Sequence, residues 1–517
     1  MTRPSPFRFP SCLDFESSLY SMEKLEPRQL LTVIVGTNFA GIRFSDTAGY
    51  VPPDPIVAVG PNHVVEAVNA NLAIYTKTGT RLSLRSLGTL FGSNSPIITD
   101  PQVSYDEYAQ RFIVAALDLN QNTNTAFLDL AVSNSSDPTQ GFSEVQHIST
   151  KESVAFLPQN SGKTFFSDFD RFGYKFDAYV FTFNMFTFPI SETSQFDHVQ
   201  ILRIDKSTVL DRNSATLTKY VSDLTGASNS TLVPATLHGV AANNTTMFFV
   251  EEALNGSGLP TKNSIKIVGM NNALTNSPSF GTVTIPVPAY GTLADQSTPP
   301  AVQPGSARIA TNDSRILNVV YRAGHLVASQ VVGSPSSNPT VAHARWYDFD
   351  LRIFTGHTAP TLFQSGEIAR GTIPTYYPAI DIAPNNDIGM VFMESASNEY
   401  MSIYATGRKP TDALGTMHVP FLIHSGAAAY SAFGDSSPYR AGDYSGISID
   451  PSNGSFWVAS EFATSRGGLQ FLANWGTWIA NFTIAANPLA KPQSTQPLGI
   501  SSPLLDLDRA DLLEMLA

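Results

Sequence analysis

Four aspartates recur at comparable points along the chain, each just ahead of a short apolar run. They are Asp54, Asp100, Asp168 and Asp443. Two carboxylates that face each other about 5 to 9.5 Å apart across a substrate could hydrolyse a glycosidic bond. Aspartates repeated in this way can instead brace the backbone N–H groups of turns. Because positions that recur with a repeat usually serve the repeat, we expect bracing, with hydrolysis as the alternative.

Arginines near the same points add a second kind of chemistry. A guanidinium group can bind both oxygens of a carboxylate at once, which suits recognition of an acidic ligand. The arginines placed in this way are Arg43, Arg111, Arg171, Arg308, Arg370 and Arg440. Arg171 and Arg440 join the four aspartates as candidate site residues.

Sequence motifs of other enzyme classes are missing. The chain has no G-x-S-x-G, H-E-x-x-H, P-loop or G-x-G-x-x-G motif. Its nine histidines include no pair four residues apart, and Cys12 is the only cysteine. We therefore expect neither a zinc site nor an internal disulfide.

Calcium is the other metal to consider, because hard cations favour carboxylate oxygens. Asp168, Asp170 and Asp177 occur close together, as do Asp443 and Asp450. Neither group has the D-x-D-x-D-G spacing of a calcium loop. We interpret both groups as acidic turns and expect no cofactor.

The charge balance excludes one class of partner. The 517 residues carry 31 Lys plus Arg against 43 Asp plus Glu, a net charge of −12, and no basic run occurs. Nucleic-acid binders need clustered cations to neutralise phosphates, so we expect no nucleic-acid partner. No stretch approaches the roughly 18 to 20 apolar residues of a membrane helix, so we also expect no transmembrane span.

The elements that must position the candidate residues are short strands. Apolar runs rich in Val, Ile, Phe and Tyr alternate with Asn, Asp, Gly, Pro and Ser clusters, which predicts an all-β chain. One unit recurs, a half-apolar strand, a tight turn and an apolar strand. Its seven copies begin at Asp54, Asp100, Asp168, His238, Ala307, Tyr377 and Asp443.

Such hairpins cannot bury both faces alone, and radial stacking buries them, so the repeat predicts a β-propeller. We favour seven blades, and six or eight stay open because the His238 and Ala307 units match least well. Residues 32–44 are expected to close the ring by pairing with the strand around residues 478–482. The candidate residues then surround the mouth of a central channel.

The N-terminal 32 residues lack the 7 to 15 residue apolar core of a secretory signal. Residues 25–31 read LEPRQLL and precede a β-branched run. This resembles the LEPR-xLL motif near the N-termini of large planctomycete proteins thought to be exported or surface-located. The alternative is a short helical turn that leads into the first strand. The resemblance implies an extracellular or cell-surface location.

Three further segments carry a second resemblance. Residues 53–63, 170–178 and 440–451 are similar to parts of a broad group of uncharacterised secreted bacterial proteins with sialidase-like or propeller bodies. The similarity covers most of residues 40–484. It implies a propeller fold and an export address, without an established activity. Where members of that group have Asp-Tyr-Pro, this chain has Asp168-Phe169-Asp170.

Sialidases place three arginines on the substrate carboxylate, together with a tyrosine nucleophile and an acid. The resemblance therefore adds Tyr377 and Tyr444 to the candidate site residues. The Asp-box S-x-D-x-G-x-T-W of these enzymes is missing, and residues 135–142 (SSDPTQGF) are its nearest match. Since a shared fold is weak evidence for chemistry, we expect no sialidase activity.

The domain organisation and function follow from these points. We predict an export segment at residues 1–32, a propeller at 33–485, a Pro/Ser-rich linker at 486–503 and a C-terminal helix at 504–517. The protein is expected to be an exported or surface-located binding or structural module for a glycan or protein ligand. The alternative is a glycoside hydrolase that acts at the channel mouth.

Overall fold

A computed structural model describes most of the predicted propeller. The described residues are 33–47, 49–191, 193–211, 216–225, 229, 231–239, 246–352, 359–432, 436–465 and 474–485. The predicted export segment, linker and C-terminal helix lie outside them. The two α-helices, Leu87–Phe91 and Lys206–Leu210, have five residues each. No helix in the described part is long and apolar enough to cross a membrane.

The other regular elements are mainly antiparallel sheets, which confirms the all-β, propeller prediction. We number the sheets along the chain and give their strands in order from the centre outward. Sheet 1 contains Ile56–Val59, His63–Val68, Asn71–Thr76 and Arg81–Ser86. Sheet 2 contains Ile97–Asp106, Arg111–Asn120, Thr125–Val132 and Glu144–Ser149. Sheet 3 contains Phe165–Tyr174, Ala178–Thr187, Phe196–Asp205 and Lys219–Leu224.

The remaining sheets follow the same plan. Sheet 4 contains Val233–Pro234, Met247–Leu254, Pro260–Asn271 and Ser279–Pro286. Sheet 5 contains Ile316–Arg322, His325–Ser334, Val341–Asp350 and Thr361–Glu367, with Thr236–His238 added in parallel to its first strand. Sheet 6 contains Thr375–Ile382, Ile388–Ala396, Glu399–Arg408 and Phe421–His424.

Sheet 7 joins the two ends of the described chain. Gly446–Ile449, Phe456–Ala463 and Trp475–Ile484 are completed by Val33–Arg43, which pairs antiparallel with Trp475–Ile484. The predicted pairing of the chain ends is thereby confirmed. An eighth, three-stranded sheet consists of Ala301–Val302, Arg308–Ala310 and Tyr439–Arg440. Because this sheet does not follow the four-stranded plan, the number of blades stays a prediction.

Five of the seven predicted units form the first two strands of a sheet, and two are wrong. The Ala307 unit requires its tight turn at Asn312-Asp313, between its two predicted strands. The hairpin turn of sheet 5 is instead Ala323-Gly324, where both residues have positive φ (51° and 86°). The strand predicted at Ala307 lies in the three-stranded sheet instead. In the His238 unit, His238 belongs to the strand that extends sheet 5, and Val233–Pro234 pairs with the predicted second strand.

Burial on both faces of a sheet explains why polar residues can lie inside. In Ala178–Thr187, Phe181 and Phe183 pack with residues of sheet 2, and truncation of either ring would cost about 3 to 5 kcal/mol. Thr182 alternates with them and donates its hydroxyl to the Leu232 carbonyl at 2.6 Å. The polar face of one sheet therefore holds the start of the first strand in the next.

A left-handed residue lies shortly before each first strand or at a bulge in its first half. The φ angles at these seven positions lie between 49° and 77°; the residues are Asp54, Asp100, Phe169, Thr231, Asn312, Tyr377 and Gly442. Only one is glycine, although non-glycine residues disfavour this region by roughly 1 to 2 kcal/mol. Such strain persists only where surrounding contacts impose it, and it often marks functional sites. Asp54, Asp100 and Tyr377 are themselves candidate site residues, and Asn312 bonds Asp443.

Candidate functional site

A central cavity of about 500 Å³ runs along the first strands of sheets 1 to 7. The upper end of the cavity is the end at which these strands begin. The lower end is the end at which they finish. Arg171 and Tyr444 line the upper part, whereas Glu107, His238 and Arg322 line the lower part. The four predicted aspartates are not among the lining residues and lie around the upper end, close to Tyr444 and to one another.

Asp54 links the start of sheet 1 to the start of sheet 7, where the ring closes. Its Oδ1 accepts the backbone N–H of Asp443 at 2.7 Å, and its Oδ2 accepts Nδ2 of Asn69 at 2.8 Å. The Asn69 Oδ1 in turn accepts the backbone N–H of Asp100 at 2.8 Å. The bracing role expected for the repeated aspartates is therefore present at Asp54, with Asn69 extending it to sheet 2.

Asp443 has a different environment. Its Oδ1 accepts Nδ2 of Asn312 at 2.5 Å, and its Oδ2 accepts a hydrogen bond from the Arg440 guanidinium. Asp443 is buried, while the Arg440 side chain is 55% exposed. The carboxylate of Asp443 raises the pKa of Arg440, which keeps this arginine charged at any physiological pH.

Burial and, after it, the crowding of acids raise the pKa values of carboxyl groups at the upper end. Burial, followed by the charges of Asp168 and Asp443, raises the pKa of Asp100 to about 7. Burial and then the neighbouring carboxylates also raise the pKa of Asp54 and of Asp170 well above the ordinary range. Asp170 is fully buried, and neither of its carboxylate oxygens has a hydrogen-bond partner among the described residues. Several of these acids therefore hold a proton at neutral pH.

Arginines and aromatic rings stack beside these acids. The Arg171 guanidinium carbon lies 3.6 Å from the ring centre of Tyr444 and 4.1 Å from that of Phe169. Arg315 lies 4.5 Å from the centre of the same Phe169 ring. Cation–π contacts of this kind contribute up to about 2 kcal/mol each when they are desolvated. The left-handed backbone at Phe169 thus places its ring in contact with two arginines.

The two predicted tyrosines occupy different environments. Tyr377 is fully buried and donates its hydroxyl to the Ala310 carbonyl at 2.9 Å. Tyr444 is buried too, but its hydroxyl has no hydrogen-bond partner in the described chain. Burial raises the pKa of both hydroxyls well above the ordinary range, so neither is a phenolate at neutral pH. Tyr377 is therefore held by the backbone, and Tyr444 can still accept or donate to a ligand.

The structure brings the eight predicted site residues together at the upper end. Direct bonds or stacking link Asp54 with Asp443, Asp443 with Arg440, and Arg171 with Tyr444, while Asp100, Asp168 and Tyr377 lie within electrostatic range of Asp443. Two of the other predicted arginines have separate partners. Arg111 bonds the carbonyl of Gln110 at the opposite turn, and Arg370 pairs with Glu394.

Sequence reasoning missed Asn69, Phe169, Arg315 and Glu461 at this end. Arg315 follows the left-handed Asn312 of sheet 5, so a repeat aligned on Asn312 would have found it. Glu461 is fully buried, and burial followed by the charge of Asp54 raises its pKa well above the ordinary range. It lies in the second strand of sheet 7, and no sequence signal distinguishes it from other strand acids.

The lower end contains a compact ion-pair network. Glu107 lies 3.1 Å from Nδ1 of His238 and accepts the backbone N–H of Gly239 at 2.6 Å. The Nε2 of His238 lies 3.5 Å from Asp381, and Arg322 lies 4.0 Å from Glu107. Burial alone would lower the pKa of His238, but Asp381 and Glu107 raise it to about 9. The bond from His238 lowers the pKa of Glu107 to about 2 despite burial.

The two acidic groups considered for calcium are each divided between the ends of a strand. Asp168 and Asp170 lie at the upper end, whereas Asp177 follows the lower end of the same strand and pairs with Lys175. Asp443 lies at the upper end, whereas Asp450 follows Gly446–Ile449 and pairs with Lys77 at 2.7 Å. Neither sequence cluster brings its carboxylates around one point.

Comparisons with known proteins give weak structural likenesses. No family model and no curated protein matches the sequence. A Dyadobacter fermentans protein of unknown function is similar with a TM-score of 0.40 and 9% identity, over 88% of this chain and 99% of that one. Trypanosoma rangeli sialidase in complex with the inhibitor DANA has a TM-score of 0.36 and 9% identity, over 78% of this chain. The match spans only 56% of that sialidase chain.

A third likeness is to the extracellular domains 1–2 of Drosophila Semaphorin 1b. Its TM-score is 0.35 at 8% identity, over 87% of this chain and 86% of that one. Identities this low do not transfer residue roles. The roles of Arg171, Tyr444 and the acids therefore follow from the geometry of this chain.

Proposed function

We propose that this protein is a ligand-binding propeller whose site is the upper end of the central cavity. The observation that supports this proposal is that Arg171 and Tyr444 have buried polar atoms without hydrogen-bond partners in the described chain. Both are buried and line the cavity, and the Arg171 Nε and Nη2 atoms and the Tyr444 hydroxyl lack hydrogen-bond partners among the described residues. A buried polar group that lacks a hydrogen-bond partner costs about 1 to 3 kcal/mol, and a bound ligand would supply the missing partners.

The donors define the ligand's chemistry. A guanidinium with two free N–H directions suits a carboxylate, because both oxygens can be bound in one plane. The flanking rings of Tyr444 and Phe169 keep this guanidinium in place. The ligand is therefore a glycan or a protein segment that presents a carboxylate to the cavity. The LEPR-type segment at residues 25–31 supports a location outside the cell, where such ligands occur.

Glycoside hydrolysis is the second candidate, and one observation favours it. Loss of solvation, together with the charges of Asp168 and Asp443, raises the pKa of Asp100 to about 7, while part of the residue surface remains exposed. A carboxyl group with such a pKa can act as a general acid at neutral pH. Binding without hydrolysis is the better supported function, because Asp54 and Asp443 are tied to protein groups.

The test incubates the full chain with acidic and neutral glycans and scores retained and cleaved species by mass spectrometry. We expect retention of carboxylate-bearing glycans without cleavage. Arg171→Lys keeps the charge but loses the planar fork, so it should weaken retention about 10-fold or more. Arg322→Lys, at the lower end of the same cavity, is the matched control and should retain the glycans like the wild type.

Each outcome separates the two functions. Equal retention by Arg171→Lys and the wild type would place the site elsewhere. Cleavage that is lost in a folded Asp100→Asn variant would identify a hydrolase. Cell fractionation of the tagged full chain, with residues 25–31 replaced in a second sample, tests the proposed export.

A further inference from the structure

A second group of polar side chains lies on the outer strands of sheet 3, away from the cavity. His198 and Gln200 are two residues apart in Phe196–Asp205, so they share one face of the strand. Asp223 is the cross-strand partner of Gln200 in Lys219–Leu224, which places it on that same face. Glu152 reaches this face from a segment bridged to Phe165 at the start of sheet 3. Three different backbone segments thus converge here.

Three of these side chains surround one point. The Nε2 of His198 lies 3.2 Å from an Oε2 of Glu152 and 3.6 Å from an Oδ1 of Asp223. One ligand atom from each residue lies within 4.8 Å of the others. The His198 side chain is fully buried, while those of Glu152 and Asp223 are 17% and 21% exposed. The point is therefore enclosed on the protein side and accessible from the other.

Asp197 fixes how His198 presents its ring. The Asp197 carboxylate accepts the backbone N–H groups of Phe156 and Leu157 at 2.9 and 3.0 Å, and it lies 2.9 Å from the Nδ1 of His198. An Nδ1–H that is donated to this carboxylate leaves the Nε2 lone pair directed at Glu152 and Asp223. A lone pair that faces two carboxylate oxygens is repulsive unless a positive charge lies between them.

We propose that His198, Glu152 and Asp223 bind a divalent transition-metal ion of the Zn²⁺ type. Zinc bonds of about 2.0 to 2.2 Å in a tetrahedron imply ligand atoms roughly 3.3 to 3.5 Å apart, which the distances of 3.2 and 3.6 Å bracket. A carboxylate that orients the metal-binding imidazole is the usual outer partner of such sites, and Asp197 supplies it. Gln200, whose Nε2 bonds Glu152 at 3.0 Å, holds the second ligand.

The spacing of these residues along the sequence does not indicate a metal site. No two histidines are four apart and no cysteine is near, which is why the sequence predicted no zinc. The ligands come from three separate segments that only the sheet pairing brings together. The ion would fasten the segment ahead of sheet 3 to the outer strands of that sheet, and a fourth position would face solvent.

The experiment uses the full chain after treatment with EDTA and dialysis. Titration calorimetry with Zn²⁺ should give one ion per chain, and Co²⁺ should give the intense visible absorption of a tetrahedral site. Glu152→Gln and Asp223→Asn each remove one ligand at a partly exposed position, and both should weaken binding by more than 100-fold. His325→Gln is the matched control, because His325 pairs with the single carboxylate of Asp348 at 2.8 Å.

The positioning role of Asp197 has its own readout. Asp197→Asn should weaken Zn²⁺ binding about 10- to 100-fold while the stoichiometry and the Co²⁺ spectrum persist. The proposal is overturned if the wild-type chain binds neither ion, in which case a proton on Nε2 of His198 supplies the positive charge. It is also overturned if the Glu152 and Asp223 variants bind as tightly as the His325 control.

Discussion

The two ends of the central cavity contain similar residue types in opposite states. At the lower end, Glu107 lies against His238 and near Arg322, and both its acid and its base favour their charged forms. At the upper end, the pKa values of Asp54 and Asp100 are raised, which favours their neutral forms although three arginines are near. At the lower end, acids and bases compensate each other's charge in a network that stabilises the fold. The upper end contains buried polar groups that lack hydrogen-bond partners within the part of the chain that the structure describes.

Backbone placement explains this difference. The upper acids are the left-handed residues, or their neighbours, that lie just before the first strands or at bulges within them, and radial packing brings these positions together. Carboxylates from several sheets then share one small volume, where burial and like charge both oppose ionisation. The lower network uses side chains that follow the strands and can approach partners of opposite charge. Ligand binding at the upper end is consistent with the general observation that functional sites are less stable than the surrounding fold.

The largest expected effect on stability concerns the bracing of the upper end. Asn69→Ala removes the hydrogen-bond partner of Asp54 Oδ2, of the Pro52 carbonyl and of the Asp100 backbone N–H; the first two bonds are buried and the third is partly buried. We expect a loss of about 3 to 5 kcal/mol in the free energy of unfolding, measured with denaturant. At the lower end Tyr108→Phe removes one bond to the Leu237 carbonyl and should cost about 1 kcal/mol. Equal losses at both ends would contradict the comparison.

Neutralising one acid at each end should have effects of opposite sign. Glu107→Gln removes a carboxylate whose pKa is about 2 because of His238, so at pH 6 it should lower the free energy of unfolding by about 2 to 3 kcal/mol. Asp100→Asn removes a carboxylate that is ionised at pH 8 against burial and the charge of Asp168. It should stabilise the protein at pH 8 by about 1 to 3 kcal/mol, since partial exposure screens part of the repulsion. At pH 5, where Asp100 is protonated, the gain should vanish.

The pH dependence of stability should divide into windows that belong to the two ends. Asp100 has a folded pKa of about 7, above its ordinary 3.8, so the stability it confers is present below about pH 4 and lost by pH 7. His238 is raised from 6.5 to about 9, so its contribution is present below pH 6.5 and lost by pH 9. Glu107 is lowered from 4.5 to about 2, so its contribution is present above pH 4.5 and lost toward pH 2.

Chemical denaturation at several pH values measures these windows. Asp100→Asn should reduce the loss of stability between pH 4 and 7 and leave the loss between pH 6.5 and 9 unchanged. His238→Gln should do the reverse. A change in the wrong window for either variant would show that the two ends are coupled, which the comparison excludes.

The upper end was predictable from sequence, and the lower end was not. The upper residues recur with the repeat, because each first strand has a left-handed residue just before it or at a bulge within it, and Asp54, Asp100 and Tyr377 are such residues. The prediction for sheet 5 was wrong because Asn312-Asp313 is a stronger turn signal than Ala323-Gly324. The misplaced turn is why Arg315 was not recognised as a site residue. Glu107 and His238 meet only through the packing of different sheets, and no spacing along the chain encodes that meeting.

The smallest expected effect concerns backbone strain, which both ends contain. Gln110, at the lower end, has φ of 53°, close to the 51° of Asp100 at the upper end. The Gln110 residue is exposed in the turn that joins Ile97–Asp106 to Arg111–Asn120, so glycine can replace it without loss of buried contacts. Gln110→Gly should raise the free energy of unfolding by about 1 kcal/mol, whereas Gln110→Ala should give no gain. At the upper end the same relief is not available, because Tyr377→Gly would also remove a fully buried ring and its bond to Ala310. A stabilised Tyr377→Gly variant, measured with the same denaturant, would mean that the upper contacts do not impose the strained backbone.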